Sequence, residues 1–173
     1  VADTGNHKIR KVVISTGKVE TIAGQSSIPY NYGGYQDGNG VNAQFNYPYG
    51  ITTDGTSIYV ADSDNARIRK IDISTKEVST IAGDGDWASY DGNGINSGFN
   101  YPKGIATDGA NLYVAETSGY KIRKIELSTG DVTTLAGSGD YATAEGHGTG
   151  ASFKSPQGIT IEGSDMYVVE TDG

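Results

Sequence analysis

Three times the chain returns to the same succession of segments, and that period limits its architecture more than any single residue does. Gly50-Ile51, Gly104-Ile105 and Gly158-Ile159 are spaced by 54 and 54 residues. Thr21-Ile22-Ala23-Gly24, Thr80-Ile81-Ala82-Gly83 and Thr134-Leu135-Ala136-Gly137 follow at 59 and 54. A fixed period of this length means an array, a solenoid or a propeller, whose units are stable only when stacked on neighbours.

Each unit reads as four short segments rich in Ile, Val, Tyr and Thr, separated by turn residues, the pattern of an antiparallel meander. In the best-defined copy the strands are expected at 103–108, 111–116, 120–127 and 132–136, labelled a to d. The 26 glycines, about twice the usual share of roughly 7%, suit many tight turns. No stretch between glycines keeps a helical apolar period for ten residues, so helices are not expected. Strand c has an irregular alternation. Ile68 sits on one parity while Ile71 and Ile73 sit on the other, and Ile9 with Val12 and Ile14, and Ile122 with Ile125 and Leu127, repeat the slip. A bulge near Arg69-Lys70, Arg10-Lys11 and Arg123-Lys124 would produce it, as would a strand buried on both faces. Four-stranded sheets apolar on both faces need cover on both sides, and the β-propeller provides it by repetition.

The formal charge is −8, and Lys and Arg recur at fixed repeat positions instead of forming a tract, which argues against nucleic acid as a partner. Without cysteine there is no disulfide framework and no thiolate metal site. No apolar run approaches 18 residues, so membrane insertion is not expected. The chain opens and closes in mid-repeat and reads as an excerpt.

Specific residues carry a resemblance. Residues 1–11 read VADTGNHKIRK, residues 60–70 VADSDNARIRK and residues 114–124 VAETSGYKIRK, and these are similar to NHL repeats. The linkers DGNGVNAQFNYPYGI (37–51) and DGNGINSGFNYPKGI (91–105) resemble the bacterial form of that repeat. The Asn-His pair itself survives only at Asn6-His7, and the third linker, EGHGTGASFKSPQGI (145–159), has lost its first Asp. The resemblance implies an all-β propeller of four-stranded antiparallel blades, commonly six, with the d-to-a and b-to-c connections on one face. On that reading 1–24 is a partial blade, 48–83 and 102–137 are whole blades, and 156–173 is another partial blade. Either further blades are missing, or two copies associate to complete a ring of six.

Binding tends to reside on long loops carried by a rigid scaffold. The d-to-a linkers gather Tyr30, Tyr32, Tyr35, Trp87, Tyr90 and Tyr141 beside Asp37 and Asp91. Flat amphipathic rings next to fixed acceptors suit sugars or peptides, and equally suit packing of loop on loop. Asp62 and Glu116 end strand b, with Arg69 and Arg123 seven residues on, and a role repeated in every blade points to structural ion pairs. Asp3 with Arg10 has the same spacing. Asp54, Asp108 and Glu162 are read as caps of their own hairpins. The stretch from Asp84 to Ile95 lacks the closing Glu of a calcium loop, so turn glycines explain it better. His7 and His147 lie in different repeats and do not make a zinc set. No nucleophile-and-base motif stands out, and neither a metal nor a cofactor is expected.

The leading expectation is therefore a non-catalytic module, extracellular or on the cell surface, that binds a protein or glycan through its Tyr-rich linker face. One alternative is a metal-dependent lyase or hydrolase propeller whose site lies in other blades. Another is a structural protein that assembles through open blade edges. RNA binding, known for animal members of the resembled family, is disfavoured by the acidic balance.

Overall fold

The computed structural model describes residues 1–25 and 33–171, and they form antiparallel sheets with no α-helix among them. The first unit holds β1 (Ala2–Asp3), β2 (Lys8–Val12) and β3 (Val19–Ala23). A two-residue linker strand, β4 (Gly38–Asn39), precedes the second unit: β5 (Pro48–Thr53), β6 (Ser57–Asp62), β7 (Arg67–Asp72) and β8 (Glu77–Ala82). A second linker strand, β9 (Gly92–Asn93), leads to β10 (Pro102–Thr107), β11 (Asn111–Glu116), β12 (Lys121–Glu126) and β13 (Asp131–Ala136). The last unit contributes β14 (Pro156–Glu162) and β15 (Asp165–Glu170).

Each complete unit is a meander, β5-β6-β7-β8 or β10-β11-β12-β13, and to its outer strand the preceding linker adds a fifth. Gly38 pairs with Val78 and Asn39 with Glu77, and Gly92 and Asn93 pair likewise with Val132 and Asp131. The linker thus occupies hydrogen-bonding groups that an outer strand would otherwise leave open.

The units stack face to face. Ile9, Ile22, Ala23, Ala43 and Phe45 meet Val60, Ile71 and Val78 at the first boundary. Tyr59, Ala61, Ile68, Ala82 and Phe99 meet Ile105, Leu112, Val114, Ile125 and Val132 at the second. The cores therefore lie between blades, as a propeller requires. At the inner strands two glycines permit the approach, since a Cβ on Gly50 would run into the carbonyl of Lys103 and one on Gly104 into that of Gln157.

The slip in parity along strand c comes from this stacking. β7 pairs with β6 without interruption from Arg67 to Asp72. Ile68 faces the third blade while Ile71 faces the first, so apolar residues on both parities are buried. A register shift exists, but it lies between Ile68 and Arg69 on the β8 side, where Ile81 is the additional residue. The equivalent shifts fall between Ile9 and Arg10 and between Ile122 and Arg123. The extra residue belongs to strand d, not to the Arg-Lys pair of strand c.

A hydroxyl ties each blade to the next. Thr4 Oγ1 donates to the carbonyl of Pro48 (2.8 Å), Ser63 Oγ to Pro102 (2.5 Å) and Thr117 Oγ1 to Pro156 (2.9 Å).

Candidate functional site

The linker face is organised by two arginines that strand c buries completely. Arg69 Nη1 donates to Asp62 Oδ2 (2.7 Å) and to the carbonyl of Gln44 (2.9 Å), and its Nη2 to the carbonyl of Gln36 (2.9 Å) and to Asp37 Oδ1 (2.6 Å). Arg123 repeats this with Glu116 Oε1 (2.7 Å), the carbonyl of Gly98 (3.0 Å), Ser89 Oγ (3.3 Å) and Asp91 Oδ1 (2.8 Å). One guanidinium fork thus holds strand b and both arms of the linker that leads into its own blade, a use for which its planar set of donors is suited. Gln36 pairs with Gln44, and Tyr90 with Gly98, where those arms meet. In the first unit Arg10 reaches only Asp3 among the described residues, at 3.0 Å and with both side chains partly exposed.

The buried carboxylates differ between blades. Asp62 accepts from the backbone N–H of Asn46 (2.7 Å) and from Asn65 Nδ2 (2.8 Å) in addition to Arg69. Burial pushes its carboxyl up to about 6, against the pull of Arg69. Glu116 is longer by one methylene, accepts from Ser89 Oγ (2.5 Å), and is likewise pushed up by burial. At the position of Asn65 the third blade has Gly119, where any Cβ would run into the Glu116 carboxylate.

Asp37 and Asp91 are consequently engaged inside the linker. Asp37 also accepts from Thr80 N (3.0 Å) and Thr80 Oγ1 (3.1 Å), and Asp91 from Thr134 Oγ1 (2.9 Å). Tyr35 lies beneath Arg67, whose guanidinium carbon is 3.9 Å from the ring centroid, and its hydroxyl is 3.1 Å from Thr80 Oγ1. Tyr90 donates its hydroxyl to Asp84, and that carboxylate holds the phenol above its ordinary pKa. Tyr30 and Tyr32 lie outside the described residues. Among the described linker rings Trp87 and Tyr141 stand most open, at 56% and 53% exposure.

Those two rings occupy equivalent positions, 54 residues apart, and each belongs to a pair. Trp87 meets Tyr101 edge-on at 5.3 Å between centroids, and Tyr141 meets Tyr120 at 5.3 Å. At the first boundary the pair is His7 with Tyr47, at 4.8 Å, and His7 Nδ1 accepts the backbone N–H of Tyr47 (3.0 Å). The pairs draw on three repeat positions: the b-to-c turn (His7, Ala66, Tyr120), the linker (Gly33, Trp87, Tyr141) and the residue before the strand-a proline (Tyr47, Tyr101, Ser155). Each boundary fills two of the three with rings and the third with a small residue. The turn and pre-proline positions share a left-handed backbone, with φ between 46° and 55° in all six residues. Non-glycine residues adopt it at a steric cost, and here it turns the rings together at the seam. Tyr49 continues the patch with Lys103 Nζ 5.0 Å from its ring. Tyr101 is held above its ordinary pKa by partial burial and by the Asp64 carboxylate at its hydroxyl. Sequence reasoning passed over Tyr47, Tyr49 and Tyr101. For Tyr47 and Tyr101 the signal was the repeated Phe-Asn-Tyr-Pro of 45–48 and 99–102.

Four-stranded blades with inter-blade cores and linker-capped outer edges define a segment of a β-propeller. No family model matches the chain. It is 36% identical over 142 residues to NHL repeat-containing protein 2 of Bos taurus, an alignment covering 78% of this chain and 20% of that protein, and the Homo sapiens protein gives the same values. The chain thus spans about a fifth of the length of the curated relatives it matches. A crystal structure of a protein of unknown function from Bacteroides thetaiotaomicron superposes with a TM-score of 0.75 at 21% identity, covering 96% of this chain and 40% of that one, which shows the fold. The chain belongs to the NHL-repeat family.

Proposed function

We propose that this segment is a non-catalytic binding module that takes a protein or glycan partner on its linker face. What carries the reading is Trp87, an exposed ring on a loop that the fully buried Arg123 anchors, with Tyr141 exposed at the equivalent point one repeat further on. An exposed ring on a loop restrained in this way loses little conformational freedom on binding, which favours affinity. The rings offer apolar faces to a sugar or a peptide, while Asn, Asp and Ser groups of the same loops supply hydrogen bonds at the margin.

The test uses the one tryptophan of the chain as its own reporter. Titrating the protein with panels of oligosaccharides and short peptides should produce a saturable change in Trp87 emission for at least one member, and Tyr101→Leu should weaken that response. Emission that stays flat across both panels, at concentrations reaching millimolar, would overturn the reading.

A further inference from the structure

We propose that the notch formed by Trp87, Tyr101 and Asp64 at the second blade boundary receives a lysine side chain from a protein partner. The inference rests on reading the linker face as a binding face, and it narrows the occupant from protein or glycan to a basic protein segment.

The third boundary supplies the template. Its linker ring, Tyr141, is covered by the chain's own Lys154, whose Nζ lies 5.7 Å from the ring centroid. Lys154 and Ser155 stand where the second boundary has Asn100 and Tyr101. At the second boundary, therefore, the position that sends an ammonium over the linker ring is occupied by an amide, whose Nδ2 contacts the carbonyl of Ser118 at 3.4 Å. Other rings of this face carry internal cations as well, Arg67 over Tyr35 and Lys103 over Tyr49. Among the described residues no lysine or arginine lies over Trp87 or Tyr101. Of the two boundaries whose ring pair carries no lysine or arginine among the described residues, the second presents the better cation acceptor, since an indole face attracts ammonium more strongly than a phenol.

Charge at the notch agrees with this. Asp64 stands against the Tyr101 hydroxyl, and Asp84 and Asp86 flank Trp87 in its own loop, with Asp84 Oδ1 accepting the backbone N–H of Asp86 (2.9 Å). Two cations stand near it: Arg67 is directed away, donating to the carbonyls of Asn65 (3.0 Å) and Asp84 (2.5 Å) and lying over Tyr35, and Lys121 Nζ is held at the carbonyl of Ser89 (3.5 Å). An incoming ammonium would meet two ring faces and at least one carboxylate, within a chain whose formal charge is −8.

The test is a titration of Trp87 emission with a short lysine-rich peptide, with the same peptide acetylated on its lysines, and with a neutral oligosaccharide. The lysine peptide should give a saturable change, and acetylation should weaken it by about tenfold, the range expected when an ammonium is lost from a ring face and a nearby carboxylate. Asn100→Lys should place an internal ammonium over Trp87, as Lys154 does over Tyr141, and weaken the peptide to a similar degree. Equal response to the acetylated peptide, or indifference to Asn100→Lys, would overturn the lysine assignment. A response to the oligosaccharide alone would overturn it while leaving the binding face intact. Silence toward all three probes would overturn the assignment and count against the binding face itself.

Discussion

The second and third blades hold their linkers with the same buried arginine but with different carboxylates. In the second blade Asp62 is short, and Asn65 fills the remaining space, donating to Asp62 Oδ2 and to the carbonyl of Gly34 (both 2.8 Å). In the third blade Glu116 reaches further, and Gly119 leaves room for it. The turn follows the exchange: the N–H of Ala66 bonds to Ser63 (3.1 Å), whereas that of Tyr120 bonds back one residue further, to Glu116 (2.9 Å). The other two units keep the coupling in sequence, Asp3 with Asn6 and Glu170 with Gly173. The comparison teaches that the unit of design here is a pair of residues and the volume they share, not either residue alone.

The strongest way to break the comparison is to remove the element both blades share. Arg69→Ala or Arg123→Ala leaves a buried carboxylate without its partner, and each should cost about 3–5 kcal/mol in denaturant unfolding and release the linker. A loss below about 1 kcal/mol would mean that the carboxylates and backbone hold the loop by themselves.

Exchanging the two solutions sharpens it. Asp62→Glu alone, or Gly119→Asn alone, should destabilise by about 2 kcal/mol through overpacking. The paired change Asp62→Glu with Asn65→Gly should recover most of that loss, giving a coupling of at least about 1 kcal/mol in a double-mutant cycle. Strict additivity would show the two solutions to be independent of their neighbours.

The hydroxyl ties between blades should matter less and about equally in both blades. Ser63→Ala and Thr117→Val each leave a proline carbonyl without its donor, at about 1 kcal/mol apiece by thermal unfolding.

The smallest effect expected is acid sensitivity at the turns. Partial burial pushes Asp108 up, but the donors from Asn111, Ala110 and Tyr113 outweigh it and hold the carboxyl at about 2. In the second blade the Ser74 hydroxyl and the Thr75 backbone hold Asp72 at about 2. A carboxyl depressed on folding contributes stability above its unfolded pKa, so this contribution is present above about pH 4 and lost as the pH falls through about 2. Asp72→Asn and Asp108→Asn should each flatten the fall in melting temperature across that window.

Much of the fold was legible because repetition makes it so: the period, the glycines and the Ile-rich segments placed the strands within a residue or two. The parity of strand c was legible as an anomaly but not as its cause, since Ile68 and Ile71 face different neighbours and only the stacking shows that both faces are covered. The site was legible in part. Trp87 and Tyr141 stood out as aromatic loop residues. Asp37 and Asp91 stood out too, yet each lies 32 residues before the arginine that engages it, a repeated separation that acquires meaning once linker and strand c are neighbours. Tyr47 and Tyr101 were hidden because their left-handed backbone turns a residue next to a strand onto the seam, and non-glycine residues in that conformation have no composition signature.

The linker strands have a consequence for how such a chain can be cut and recombined. Because β4 pairs with β8 and β9 with β13, the linker belongs structurally to the blade after it. A unit that begins at strand a therefore leaves its own outer edge behind, whereas one that begins just past strand d, after Gly83 or Gly137, carries its whole hydrogen-bonded sheet with it. Duplication or transplantation of units at those glycines preserves every intrablade ladder, and the natural module is offset by one linker from the repeat that the eye picks out in the sequence.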